Sequence, residues 1–442
     1  MNVKVCKFGG TSMATAKSIR KVAAIIRKDD LRRYIVVSAP GKRSKDDLKI
    51  TDLLYALADE IIRENVTTTF DIVRERFLSI AKELHVVKPM QVILEETLIK
   101  MKQIKTVDFI VSRGEYLTAF LLAKYLKYEF VDAATLIRFK RNAIDFKQTD
   151  IIAKKALKNR FDVVIGGFYG TTPEGEIKLL SRGGSDVTGA LIASAVKAKV
   201  YENWTDVDGF LVCDPKIVSD PKLIESLTYK EMRALSFMGA SVIHSDTFFP
   251  VAKKGIPIHI RNTFNPKSPG TLIHQLIPGQ KHISPITGIS GVKNFTLIVV
   301  EKEFLSEKVG MDRKILSFPE KMNINVAHFP SGTDTFSMLI ESKFLIDGKL
   351  DILVSQIKKA IKPDLLEVSQ NIALISIVGR HLMSDNYNML RLFTALINDN
   401  ITIKTIDYGS SGVNIVIGVD GDDYGYAVQS IYKEFFLKGE DE

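Results

Sequence analysis

The chain has 442 residues, 45% hydrophobic and 26% charged, which excludes a disordered protein and is too long for one ordinary core, so two or three domains are expected. Its formal charge of +9 is spread along the chain without a basic arm, zinc-finger or RNP pattern, which argues against a nucleic-acid partner. No apolar run approaches the roughly 18 residues of a membrane span, the start MNVKVCKF lacks a signal-peptide core, and Cys6 and Cys213 have no metal-ligand or redox spacing, so a cytoplasmic protein with buried, reduced thiols and no membrane partner is expected.

In chain order, the first expected strand is VKVCKF (3–8), which runs into Lys7-Phe8-Gly9-Gly10-Thr11-Ser12 and then a helical stretch from Ala14. Two glycines at a strand tip let backbone N–H groups approach phosphate oxygens, and Lys7 adds a full positive charge. Thr11 or Ser12 as a simple helix cap is the alternative. A strand over 34–39 leads into SAPGKRSKDDLKITDLL, where the Thr51 hydroxyl is placed to cap a helix or to hold a substrate. The run 108–112 reads as a strand, followed by Arg113 and Gly114, with Glu115 opening the next helix. Strands are expected over 128–133 and 162–168. LLSRGGSDVTGALIASA then repeats the strand, glycine pair and helix design with Arg182, Ser185 and Asp186. After a strand at 199–203, NWTDVDGFLVCDPK holds three acids and the only tryptophan. A strand at 257–261 precedes NTFNPKSPGTLI (262–273), which reads as a linker. Strands too apolar for one wet face, alternating with helices, imply an α/β fold with a mainly parallel sheet covered on both sides.

The remainder has an internal repeat. FTLIVVE (295–301) and IALISIV (372–378) each begin a β-α-β-β-α order, and Ile324 and Ile401 occupy equivalent places in the two copies. Two tandem α+β modules that pair with each other, in one chain or across a dimer, are expected. The domain division is 1–275, 285–366 and 367–442.

The loops that collect at strand ends contain lysine, arginine, acids and glycines, and no histidine pair or nucleophile motif accompanies them. That set suits phosphoryl transfer to a carboxylate. Such an acceptor is already ionised at neutral pH and needs no general base, only cations that offset its repulsion from the γ-phosphate.

KFGGTS, VSRGE, GGFYG, SRGGSD, WTDVDGFLVCDP and NTFNPKSPGTLI together resemble the aspartokinases, in order and spacing, and the tandem modules resemble ACT domains. The resemblance implies the amino-acid kinase α/β/α sandwich followed by two ferredoxin-like ACT modules. It implies a monofunctional kinase that uses ATP and Mg²⁺ to convert L-aspartate to 4-phospho-L-aspartate, the first step toward lysine, threonine and methionine. It assigns Lys7, Phe8, Gly9 and Gly10 to the ATP phosphates, and Thr205, Asp206 and Lys216 to the nucleotide. Thr51, Glu115, Phe168, Arg182 and Ser185 are assigned to aspartate, with Arg182 on the α-carboxylate and Glu115 on the α-amino group. Lys7 and Asp186 are the catalytic pair, Asp186 organising Lys7 and the metal–phosphate geometry. Gly310, Met311, Asp312, Asn325, Ser331 and Thr333 match positions that contact an amino-acid effector, with lysine the expected one, and a homodimer or tetramer through the ACT modules is implied. Three departures stand out: Lys216 where many members have arginine, Ser241 and Ser245 in place of a lysine-containing GAK segment, and Ala327 where lysine-inhibited members carry an acid. The alternatives are a non-catalytic amino-acid sensor with a degenerate kinase domain, and a glutamate-kinase type of enzyme.

Overall fold

A computed structural model describes residues 2–65, 67–181, 183–239, 245–276, 284–382, 385–408 and 412–438. The chain forms two compact units: Met1–Phe210 with Leu223–Tyr229 and Val242–Ile277, and Leu211–Lys222 with Lys230–Ser241 and Pro278–Glu442.

The first unit contains β1 (Lys4–Phe8), α1 (Ala16–Arg27), β2 (Arg32–Val37), α2 (Ile50–Ile62), α3 (Thr68–Glu83), α4 (Val87–Ile104), α5 (Val107–Leu126), β3 (Glu129–Val131), β4 (Val163–Gly166), α6 (Gly184–Val196), β5 (Val200–Thr205), β6 (Ser226–Thr228), β7 (Ile258–Asn262) and β8 (Thr271–His274), with shorter elements between. The eight strands form one sheet in the order β6-β8-β7-β5-β1-β2-β4-β3. Strands β7, β5, β1, β2, β4 and β3 are parallel, and β8 runs antiparallel to β7. β1 is buried on both faces from Val5 to Phe8, the signature of a central parallel strand. α1 starts at a capping box in which Thr15 and Ser18 satisfy each other's backbone N–H. It lays Ile19, Val22, Ala23 and Ile26 on the sheet at helical spacing.

Two segments differ from expectation. Residues 108–112 are not a strand: they form the first part of the 20-residue α5. That helix is buried on nearly every face, from Phe109 to Leu126, so it lacks the polar stripe that marks a helix in sequence, and a short apolar run within it reads equally as a strand. Nor is 262–273 a linker. Its turn residues close a hairpin, Thr271 and Ile273 are fully buried in β8, and Gly270 sits at φ +74° where a side chain would strike the Ile260 carbonyl.

The second unit contains β9 (Gly288–Glu301), α7 (Met311–Lys321), β10 (Thr335–Glu341), α8 (Lys349–Ile361), β11 (Leu365–Val378), α9 (Asn386–Asn398), β12 (Ile403–Tyr408), β13 (Asn414–Asp420) and α10 (Tyr424–Tyr432). Its five strands form one antiparallel sheet, β10-β9-β11-β13-β12. The two modules share their long strands. Phe295–Glu301 of β9 pairs with β10 and with the start of β11, whereas Gly288–Val292 pairs with the end of β11, which in turn pairs with β13. The strand expected before β10 is reduced to isolated bridges at His328 and Ser331. Pro330 between them has no N–H to donate to a ladder.

Candidate active site

In a parallel sheet, ligands bind beyond the carboxyl ends of the strands. Here the ends of β5, β1, β2 and β4 lie side by side. Each carries polar or glycine-rich sequence: Thr205-Asp206, Gly9-Gly10, the loop from Ser38, and Gly167-Phe168.

Lys7, in β1, is almost buried, and its Nζ lies 2.6 Å from Oδ1 of Asp186, in the first turn of α6. Asn203 donates to the same oxygen from β5 at 2.9 Å, and the Tyr201 hydroxyl donates to the Asp186 carbonyl at 3.0 Å. Residues 201, 203 and 205 share one face of β5 by the two-residue period of a strand. Asn203 was missed in sequence, and only that alternation would have aligned it with Thr205. α6 is capped by Gly183 in the left-handed region (φ +75°), with no side-chain cap. Ser185 and Asp186 are therefore not helix caps. Thr11 and Ser12 are not caps either: Thr11 donates to Asp206 at 3.1 Å, and the Ser12 and Thr263 hydroxyls pair at 2.8 Å.

Glycines let the loops meet. A Cβ on Gly10 would lie 2.9 Å from the Ala39 carbonyl, and Gly41 donates to the Gly10 carbonyl at 2.8 Å. A Cβ on Gly167 would lie 2.7 Å from Cα of Ser185. Phe168 holds φ +77°, uncommon for a bulky residue, and its N–H donates to Thr188. The Phe8 side chain is fully buried and stacks on Trp204 at 5.9 Å, so it belongs to the core, and only its main chain borders this end of the sheet.

Glu115 does not open a helix but lies in the middle of α5. It is 3% exposed and its Oε2 has no hydrogen-bond partner. Burial pushes its carboxyl up to about 8, against the backbone N–H groups of Ala39 and Glu115 itself and the charges of Lys7 and Arg113. A buried carboxyl oxygen without a partner is costly unless something binds it. Arg113 is turned away into an aromatic cage, 4.4 Å from the Phe109 and Tyr116 ring centres. Thr51 is half-buried in the first turn of α2, whose cap position is Lys49. Arg182 and Ser241 lie outside the described residues, as does the side chain of Ser245.

Lys216 belongs to the second unit, where its N–H donates to Asp214 and its side chain is exposed. The expected effector positions are also in that unit. Gly310 (φ +81°) caps α7, Met311 and Asp312 form its first turn, and Asn325, Ser331 and Thr333 are exposed. Ser306 donates to the Thr333 carbonyl, which ties the loop before Gly310 to the loop before β10. Ala327 packs against an apolar cluster that includes Phe295, Leu297 and Leu339.

Among the described residues no three His, Cys, Asp or Glu side chains converge as a metal cage. Asp186 is instead one carboxylate beside a glycine loop, the donor set that suits a divalent cation carried in on phosphates.

The sequence profile of the amino acid kinase family matches residues 2–262, and that of the ACT domain matches residues 375–435. Aspartokinase 3 of Bacillus subtilis is 31% identical over 450 residues, which take in 98% of this chain and 99% of that one. The chloroplastic aspartokinase 1 of Arabidopsis thaliana is 30% identical over 474 residues, 99% of this chain and 80% of that one. The crystal structure of Clostridium acetobutylicum aspartate kinase, an allosteric enzyme, matches with a TM-score of 0.89 at 42% identity, covering 98% of this chain and 100% of that one. Escherichia coli aspartokinase III, solved with aspartate and ADP, matches with a TM-score of 0.72 at 24% identity over 98% and 100% of the two chains, a likeness of fold.

Proposed function

The chain belongs to the aspartokinases of the amino acid kinase family, and from that premise we propose that this aspartate kinase moves the γ-phosphoryl group of ATP to the side-chain carboxylate of L-aspartate, giving ADP and 4-phospho-L-aspartate. The observation that carries the assignment is the Lys7–Asp186 pair at 2.6 Å beside a Gly9-Gly10 loop, the combination of charge and open backbone that phosphoryl transfer demands. When bound, ATP would supply the phosphoryl group and Mg²⁺ the divalent charge.

The chain's own residues do the rest. Lys7 puts a positive charge where charge develops on the transferring group, and Asp186, fixed by Asn203, aims it. Gly9 and Gly10 admit the phosphates, while Thr205 and Asp206 at the end of β5 border the nucleotide. Glu115 takes the substrate α-ammonium, which gives its orphaned Oε2 a partner. Thr51, Phe168 and Ser185 line the aspartate side, and Arg182 takes the α-carboxylate. Lys216 is carried over as a nucleotide contact on the sequence alone.

The reaction opens the route to lysine, threonine and methionine in the cytoplasm. Lysine is the proposed feedback effector, bound to the first ACT module at Gly310, Met311, Asp312, Asn325, Ser331 and Thr333, with the ACT modules joining subunits. Asp312 and Asp334 are the acids that could take the effector's ε-ammonium, Asp334 with one oxygen accepting the Phe304 N–H at 2.9 Å and the other open among the described residues.

The test is ADP release with aspartate, glutamate or no acceptor, with and without lysine or threonine. Turnover that ignores aspartate, or that persists undiminished in EDTA, overturns the activity. Inhibition by threonine and not by millimolar lysine overturns the effector.

A further inference from the structure

The face of β5 that carries Asn203 is matched by an opposite face that the kinase reaction leaves unused. Glu202 and Trp204 alternate with Tyr201 and Asn203, and so point to the α1 side of the sheet. There a cavity of about 770 Å³ opens between α1, the start of β2 and the loop after β7. Its volume is within the range of small-molecule sites.

The walls combine rings and charge. Arg261 stands beside Trp204 in the register of β7 with β5, and its guanidinium lies over the indole at 4.7 Å. One guanidinium nitrogen donates to the Pro266 carbonyl at 2.9 Å, whereas its Nε is buried with no partner. Phe264 is 38% exposed, and the Lys21 Nζ lies 5.2 Å from its ring centre. The charges do not cancel. Arg32 is held by Glu202 at 2.8 Å, and Asp29 by Lys4 at 2.8 Å. Lys21, Lys28, Arg261 and Lys267 have no ion-pair partner among the described residues, and the carboxylates that line the cavity with them are Asp29, held by Lys4, and Asp30. Cations gathered without partners around a partly apolar cavity favour an anion with a flat, stackable body.

We propose that this cavity binds a small aromatic anion, with its ring against Phe264 and Arg261 and its acidic group among Lys21, Lys28 and Lys267. The site lies on the opposite face of the sheet from Lys7 and Asp186, so it is a second site and stands apart from the kinase assignment.

The test is isothermal titration of the full chain with naphthalene-1-sulfonate, read in parallel by emission of Trp204, the only tryptophan. Binding of one probe per chain with a change in that emission is expected. Saturating ADP and Mg²⁺ should leave the affinity unchanged, and uncharged 1-naphthol should bind at least about tenfold more weakly. Lys21 and Lys28 are exposed, so K21Q/K28Q keeps the fold, and it should weaken the sulfonate by about tenfold or more. Phe264→Ala should weaken both probes. Absence of binding at millimolar probe overturns the proposal, including the case in which a second copy of the chain covers the cavity. Competition with ADP, or equal affinity in K21Q/K28Q, overturns it as well.

Discussion

Replacing Glu115 by glutamine exchanges an ionisable carboxyl for a neutral amide of nearly the same shape, in a place closed to water. The carboxyl is pushed from its ordinary 4.5 up to about 8, chiefly by burial. The sign is that of a raised acid. As pH rises through 4.5 the unfolded chain releases this proton, while the folded chain keeps it to about 8, so stability falls across that window. At about 1.4 kcal/mol per pH unit the loss is on the order of 3 kcal/mol at pH 7 and roughly 4 at pH 8. Glu115→Gln has no such proton. Its urea midpoint should therefore fall less than the parent's between pH 5 and pH 8. The same variant loses a charge-assisted bond to the substrate ammonium, about 1.5–3 kcal/mol, or roughly ten- to a hundredfold in aspartate KM at about pH 9, where the parent's Glu115 is ionised. In the parent, ionised Glu115 is the binding form, so aspartate KM should fall about fivefold from pH 7 to pH 8, and in the variant it should stay flat over that interval. Parallel urea profiles would show that Glu115 is not held protonated. An unchanged aspartate KM at about pH 9 would refute its placement at the amino group.

Lys7→Ala should lower kcat by about a hundred- to a thousandfold, since its charge acts where the transferring group gains charge; steady-state ADP release that falls less than tenfold would remove Lys7 from catalysis. Arg76, buried in α3, donates to the carbonyls of Leu48 and Gly41 and to Asp47 at 2.6, 2.8 and 2.5 Å. Through that contact it holds the loop that touches Gly10. Arg76→Ala should cost about 3 kcal/mol of stability and raise ATP KM, with partial rescue in Arg76→Lys; an unchanged urea midpoint would contradict this. Ala327→Glu should not sharpen lysine inhibition, because it drives a carboxylate into the cluster of Phe295, Leu297 and Leu339. A loss of about 2–3 kcal/mol is expected, and a thermal midpoint equal to the parent's would contradict it.

What was legible in sequence was local. The Lys7-Phe8-Gly9-Gly10 tip ends a strand marked by its own apolar alternation, and the Gly183-Gly184 start of α6 precedes a helix with its own spacing. Each needs only its neighbours in the chain to be what it is. The repeat of the second unit was legible for the same reason. Tertiary structure decided the remainder. α5 carries apolar residues on nearly all sides because α2, α4 and the sheet enclose it. Its pattern therefore holds no polar stripe to give its period, and Glu115 passed for a helix start. Asn203 meets Asp186 only because β5 is laid beside β1, a pairing between residues that are distant in sequence. The sharing of β9 and β11 between modules likewise depends on strand register, which the pattern of either strand alone leaves open. The Glu115 carboxyl illustrates the division most clearly. Its identity is a letter in the chain, but its protonation at neutral pH is set by the exclusion of water, which only packing of the whole unit achieves.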